Sequence, residues 1–199
     1  MYPTSKQFRS YSQLSLRHQW APAVIATFII NAIVVFPNLT WKECSWTPLL
    51  LLLLISFPLS WGYQILFLRN IREKRMDLKV LISGYPDFFR ITGTVFLQAI
   101  YSYLWSLLLI LPGIIKSYSY AMTPYILHDD PEIQYDYAIE KSMAMMKGSK
   151  KRLFCLDLSF IGWYLLGIVT VIGMLWVYPY HMAARAAFYE DLKNNFSQM

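Results

Sequence analysis

Residues 92–127 read TGTVFLQAIYSYLWSLLLILPGIIKSYSYAMTPYIL, a nearly unbroken apolar run with one Pro-Gly pair, Pro112-Gly113, and one charge, Lys116. As a single straight helix, a run of this length would measure about 54 Å, far beyond a hydrocarbon core of about 30 Å. The run therefore has to fold back, and the Pro-Gly pair is the expected break. The return limb, Ile114 to Leu127, is then short, about 21 Å at 1.5 Å per residue, and calls for local thinning, snorkelling or a partly re-entrant path. A hairpin of two crossings is preferred over a re-entrant element.

Composition identifies lipid as the solvent of this hairpin. Of the 199 residues, 56% are hydrophobic and only 15% charged, with a mean hydropathy of +0.36. Soluble domains carry about 25% charged residues, so too little charge remains here to cover a soluble surface. Aromatics make up 17% of the chain, which suits Trp and Tyr belts at the headgroup level. The formal net charge of +6 is read through loop positions. No basic helix with interleaved aromatics stands clear of an apolar segment, which argues against nucleic-acid binding.

Working outward, the flanking charges set topology. Lys6, Arg9 and Arg17 precede the apolar run that forms a first helix at about Trp20 to Pro37, with no clear cleavage site for a secretory signal. The loop Asn38 to Thr47 is followed by a second apolar run that opens at Pro48, contains Pro58 and ends in Arg69, Arg72, Lys74 and Arg75. Those cations place this end in the cytoplasm. Pro58 is expected to kink its helix, with neighbours satisfying the freed carbonyl. Residues 76–90 are too polar to span and read as a short segment at the inner interface, with Asp87 and Arg90 toward headgroups. Lys147, Lys150, Lys151 and Arg152 form a second inner block, so the chain crosses an even number of times between Arg90 and Lys147.

Between hairpin and basic block, Asp130, Pro131 and Glu132 read as the start of a cytoplasmic helix and Gly148 as its stop. Tyr135, Ile139, Met143 and Met146 form its expected apolar stripe. The last apolar block splits at a turn over Thr170 to Gly173, into helices Leu153 to Val169 and Met174 to Leu192. A single crossing of this block would leave Arg185 and Lys193 outside, against the charge bias. The fold class that results is all-α: a polytopic transmembrane helix bundle of about six membrane helices, two of them short or broken, plus cytoplasmic or interfacial helices. Residues 1–199 form a single integral membrane domain, with both termini cytoplasmic.

Polar side chains inside such a bundle are the candidate site. About a turn near residue 172, Asp157 and Arg185 lie at similar depth, so they are expected to form an ion pair, because a charge isolated in a bundle is costly. His181, four residues before Arg185, shares its helix face and is a candidate polar position. Lys116 either snorkels to the outer surface or, with Tyr118 and Tyr120, lines a polar cavity for an anionic group such as a lipid phosphate.

Chemistry of other kinds finds little support. There is no GxSxG elbow, phosphate-binding glycine loop or HExxH, and no cluster of Cys and His at metal spacing. Catalytic, cofactor and metal positions are accordingly assigned to no residue. Cys44 and Cys155 fall at opposite ends of the bundle and are not expected to pair. His128-Asp129-Asp130 has donors for a cation, although a helix start accounts for the acids. Asn38-Leu39-Thr40 is a glycosylation sequon only in form.

The stretches LPGIIKSYSYAMTPYILHDDP, AIEKSMAMMKG, LDLSFIGWYLLG and LWVYPY with FYEDL resemble a bacterial family of integral membrane proteins catalogued as domain of unknown function 975. The resemblance covers most of residues 95–192 and departs from the family pattern at HDDP and GSKKR. It implies a multi-pass protein of the bacterial cytoplasmic membrane. A more distant similarity, to the membrane portion attached to some glycerophosphodiester phosphodiesterases, implies lipid and carries over no catalytic residue. The function expected is that of a non-enzymatic protein that binds lipid or an amphiphile, or assists another membrane protein. The alternative is a small carrier or membrane-embedded enzyme, which requires the polar residues to converge on one water-accessible cavity. The partners expected are membrane lipids and another membrane protein. Neither the ligand nor the oligomeric state is encoded in a recognisable motif.

Overall fold

A computed structural model describes residues 3–40, 46–170 and 172–197. Cys44 and the turn residue Val171 lie outside them, as do the side chains of the sequon at 38–40. The described residues are all α-helical in class, without strands: α1 (Ser5–Leu16), α2 (Trp20–Thr40), α3 (Trp46–Glu73), α4 (Phe88–Leu108), α5 (Ile110–Tyr120), α6 (Thr123–Asp129), α7 (Tyr135–Met145), α8 (Lys150–Leu158), α9 (Ile161–Thr170) and α10 (Met174–Phe196), with one 3₁₀ helix at Leu78–Ile82.

The core forms around the C-terminal half of α3, where Ile65, Leu66, Phe67 and Leu68 are all fully buried. A helix buried on every side needs close neighbours, and α10, whose Ala183, Ala184, Ala186 and Ala187 are all buried, is one of them. Small side chains let backbones approach, which gains van der Waals contact where water expulsion contributes little. On its other side α10 takes α1, with Phe8 against Phe188 at 5.4 Å between ring centroids. The Thr4 amide donates to Gln7 Oε1 at 2.7 Å and so closes the first turn of α1.

The apolar hairpin breaks three residues earlier than its Pro-Gly pair suggests. Leu109 is extended, with φ −162° and ψ 141°, and separates α4 from α5. Pro112 then sits in the first turn of α5, where a missing amide donor costs nothing. Gly113 matters for a different reason. A Cβ there would lie 2.5 Å from Ser106 Oγ and 2.7 Å from Ser106 Cα, so glycine is what lets the two limbs meet. Beyond this point Leu107, Leu109 and Leu111 are between 64% and 73% exposed.

Three other boundaries differ from the sequence reading. The helix expected from Asp130 begins at Tyr135 with Gln134 as its N-cap, and Asp130 ends α6 instead. Pro131 biases the residue before it away from helix, and Asp130 is indeed at φ −133°, ψ 89°. Of the expected stripe, Ile139 and Met146, the C-cap of α7, are buried, whereas Tyr135 is 39% exposed; Ala138, Ser142 and Met145 complete the buried face. Gly148, at φ +83°, does stop the run. The helix expected over Leu153 to Val169 is interrupted at Ser159 and Phe160, where i→i+3 hydrogen bonds from Ser159 to Leu156 and from Phe160 to Asp157 tighten the turn. Arg90 belongs to α4 and points inward: it pairs with Asp87 at 3.1 Å and donates to the carbonyls of Leu127 and Ile133. α3 runs through Pro58, and the Tyr85 hydroxyl donates to the Ile55 carbonyl one turn before it.

Among the described residues one stretch, Lys150–Thr170, is long and apolar enough to cross a membrane, with a mean hydropathy of 1.8. Only 22% of that window is buried, so it does not owe its apolar character to a place in the core.

Candidate functional site

The polar side chains of the bundle gather along one stripe of α10. His181, Arg185, Tyr189 and Lys193 recur every four residues, which on an α-helix puts them in a slowly winding row on one side. The row serves two carboxylates, Asp157 near its N-terminal part and Asp129 at its C-terminal end.

Asp157 lies in the last turn of α8. Its Oδ1 accepts from Arg185 Nε at 3.1 Å and from His181 Nε2 at 2.7 Å, and its Oδ2 accepts from Arg185 Nη2. A carboxylate only accepts, so His181 carries its proton on Nε2. Nδ1 of the same ring is 2.7 Å from the Tyr164 hydroxyl of α9. Tyr118 reaches the same carboxylate from α5. Side chains from four helices thus converge around Asp157, and both of its carboxylate oxygens accept hydrogen bonds. Around them the aromatic packing is dense: Phe160 lies 4.6 Å from His181, and Tyr178 stacks on Tyr63 at 5.5 Å. Tyr63 in turn shares a 2.7 Å hydrogen bond with Thr27 of α2.

Lys116 and Tyr120 do not join this cluster. They face α4: Lys116 Nζ sits 4.7 Å over the Trp105 ring, and Tyr120, only 3% exposed, has its ring 6.5 Å from that of Tyr101. Residues 116 and 120 share a helix face whereas 118 lies nearly opposite. The three residues therefore do not line one cavity, and the convergence that a carrier or enzyme would require does not occur among them.

Asp129 is the centre that sequence reasoning missed. Arg72 grips it with two donors at 2.6 and 2.8 Å, Tyr189 donates at 2.8 Å and Lys193 at 2.5 Å. Arg72 also reaches Glu190 at 2.7 Å, so the ends of α3, α6 and α10 are tied together. Burial pushes the Asp129 carboxyl upward, but the donors from Arg72, Lys193 and Tyr189 outweigh it and hold the group well below the usual carboxylate range. His128 beside it is shifted down, first by burial and then by Arg69. Asp130 turns away to pair with Lys141 at 3.3 Å, and the described residues contain no cluster of three metal-ligating side chains. In the sequence, Asp129 stands out only within His128-Asp129-Asp130, as a possible donor to a cation, and its partners on α10 are marked by a four-residue repeat.

A groove of about 360 Å³ opens between α1, α2, α9 and α10. Trp20, Trp163 and Trp176 wall it together with Leu166, Val177 and Tyr180, and Gly167 and Gly173, where a Cβ would collide with Met174 and Thr170, let the α9–α10 turn close tightly at its edge. Gln13 of α1 is a polar residue of its lining. Trp163, Leu166 and Trp176 remain between 45% and 63% exposed, so the groove lies on the outside of the bundle.

Residues 46–196 match the family described as protein of unknown function, DUF975. The chain belongs to this family. The matched DUF975 region runs from α3 to α10 and contains both carboxylate centres and the α9 and α10 walls of the groove, while α1 and α2 precede it. No curated protein and no solved structure matches the chain.

Proposed function

We propose that the protein is a multi-pass protein of the bacterial cytoplasmic membrane, with both termini inside, and that it acts without catalysis by holding a membrane lipid. The observation that carries this reading is the tryptophan-walled groove on Lys150–Thr170, the stretch that passes the length and hydropathy test for a membrane span. An apolar concavity facing a bilayer is filled by a hydrocarbon chain, since an unfilled gap forfeits dispersion contacts along its walls. Its volume falls at the lower end of the range that accommodates small ligands.

Several features support the topology. Arg72, Asp129, Glu190 and Lys193 sit at one end of the bundle, with the Arg152–Asp191 pair on the same side. Large apolar side chains stay uncovered where hydrocarbon would meet them, on α9 (Leu165, Ile168 and Val169) and on the α4–α5 tip. α2, α3, the α4–α5 hairpin, α8 continuing into α9, and α10 then account for six passages. The Asp157 centre supports a non-catalytic role, because both carboxylate oxygens are held by Arg185 and His181 and none of these three side chains lines the groove.

The test is lipid retention through detergent purification, read by mass spectrometry. Leu166→Trp, which fills the groove from an exposed position, is expected to lower retained lipid several-fold, and Trp163→Ala with Trp176→Ala to do the same by removing its walls. Retention equal to wild type in both variants would overturn the reading.

A further inference from the structure

We infer that the groove selects an anionic phospholipid, with the headgroup held by a basic stripe on α1; this rests on the lipid-holding reading above. Lys6, Arg9, Gln13 and Arg17 fall at i, i+3, i+7 and i+11, which places all four within one narrow face of a helix. Gln13 is the middle of that face and also lines the groove. The cationic face of α1 therefore meets the apolar slot at Gln13, an arrangement that suits a molecule with an acyl chain and a negatively charged head.

Two anchors fix this juxtaposition. The Tyr180 hydroxyl, from the groove wall, donates to the Arg9 carbonyl at 3.1 Å. Arg9 Nη1 donates to the Ser159 carbonyl at 3.0 Å, at the break between α8 and α9. Together they clamp the basic face of α1 to the base of both helices that form the slot.

The charge on this face is uncompensated. The first acidic residue of the chain is Glu43, and no carboxylate pairs with Lys6, Arg9 or Arg17 among the described residues, although eight ion pairs form elsewhere. Lys6 and Arg17 are both exposed. A row of unpaired cations at the inner interface attracts anionic lipid, and its position over the groove mouth converts a general surface attraction into selection of one bound molecule. A zwitterionic head such as phosphocholine would bring its own cation against Arg17 and lose that advantage.

The experiment reconstitutes the full chain in nanodiscs that mix phosphatidylglycerol and phosphatidylcholine of identical acyl chains, and measures by native mass spectrometry which lipid stays bound after release into detergent. Wild type is expected to enrich phosphatidylglycerol over the supplied ratio. Lys6→Gln with Arg17→Gln, both at positions open to solvent, should lower that enrichment about fivefold for each charge removed while leaving the total lipid retained unchanged. Equal enrichment in wild type and the charge variant would overturn the headgroup assignment alone. Loss of preference together with an unchanged lipid count in Leu166→Trp would instead separate the basic stripe from the groove and overturn the proposal that they form one site.

Discussion

Asp157 and Asp129 are nearly equal in exposure, at 13% and 12% of their side chains, yet they are neutralised in different ways. Asp157 meets one guanidinium, one imidazole and a phenol, with its cation contributed by α10 alone. Asp129 is gripped by two permanent cations from two different helices, and one of these is shared with Glu190. The difference is one of redundancy: Asp129 keeps a partner when any single cation is lost, whereas Asp157 has no second guanidinium. The comparison shows why α10 needs its four-residue row: its first two members, His181 and Arg185, hold α8, and its last two, Tyr189 and Lys193, hold the end of α6.

Removing carboxylates in turn is the most direct way to break this comparison. Asp157→Ala leaves Arg185, whose side chain is only partly exposed at 29%, without a counter-ion and is expected to cost about 3 kcal/mol, the low end for a buried pair, read as a lowered Tm in detergent. Combining it with Arg185→Met should recover a large part of that loss, because the cost lies in the orphaned charge. A double variant no more stable than the single one would show that the pair acts through geometry instead.

Asp129→Asn should cost less, about 2–3 kcal/mol, since an amide oxygen still accepts from Tyr189 and Lys193 while losing charge. Its pH dependence sharpens the contrast. The folded carboxyl is held below its unfolded value, so its contribution is complete above about pH 4, the unfolded range, and is lost as pH falls toward the folded value. The stability gap between wild type and Asp129→Asn, followed by thermal unfolding, should thus be flat from about pH 5 to 8 and close on acidification. A gap that widens below about pH 4 would assign the opposite sign to the shift.

Lys116→Met gives the smallest effect. A cation held over one ring without a carboxylate contributes about 0.5–1 kcal/mol at a partly exposed site, so its loss should barely move the Tm. A loss as large as that of Asp129→Asn would mean that Lys116 has a role beyond the Trp105 face.

How much of this was legible beforehand follows from where the partners lie along the chain. Asp157 and Arg185 belong to one hairpin, so residue depth about a single turn was enough to set them side by side. Asp129 meets Arg72, Tyr189 and Lys193 across separations of 57 to 64 residues, and nothing local marks them except the spacing on α10. Pro112-Gly113 was a correct sign of a fold-back and a misleading sign of its position, because both residues suit a helix start as well as a break. Asp130 looked like a cap, but the neighbouring Asp129 is pulled into the end of α6 by cations from distant helices, and the next helix starts at Tyr135, well past Asp130.

By itself the sequence determined the helical class, the apolar character of the hairpin and of Lys150–Thr170, the bias of cations toward particular ends, and membership of DUF975, since these depend on composition, periodicity and motif. Only the tertiary structure decided that Tyr118 leaves Lys116 for Asp157, that Asp129 gathers three helices, and that Gln13 joins a basic face to a tryptophan groove. Those outcomes rest on which helix faces meet, and helix packing is settled by side-chain volume across elements far apart in the chain, such as the alanines of α10 against α3.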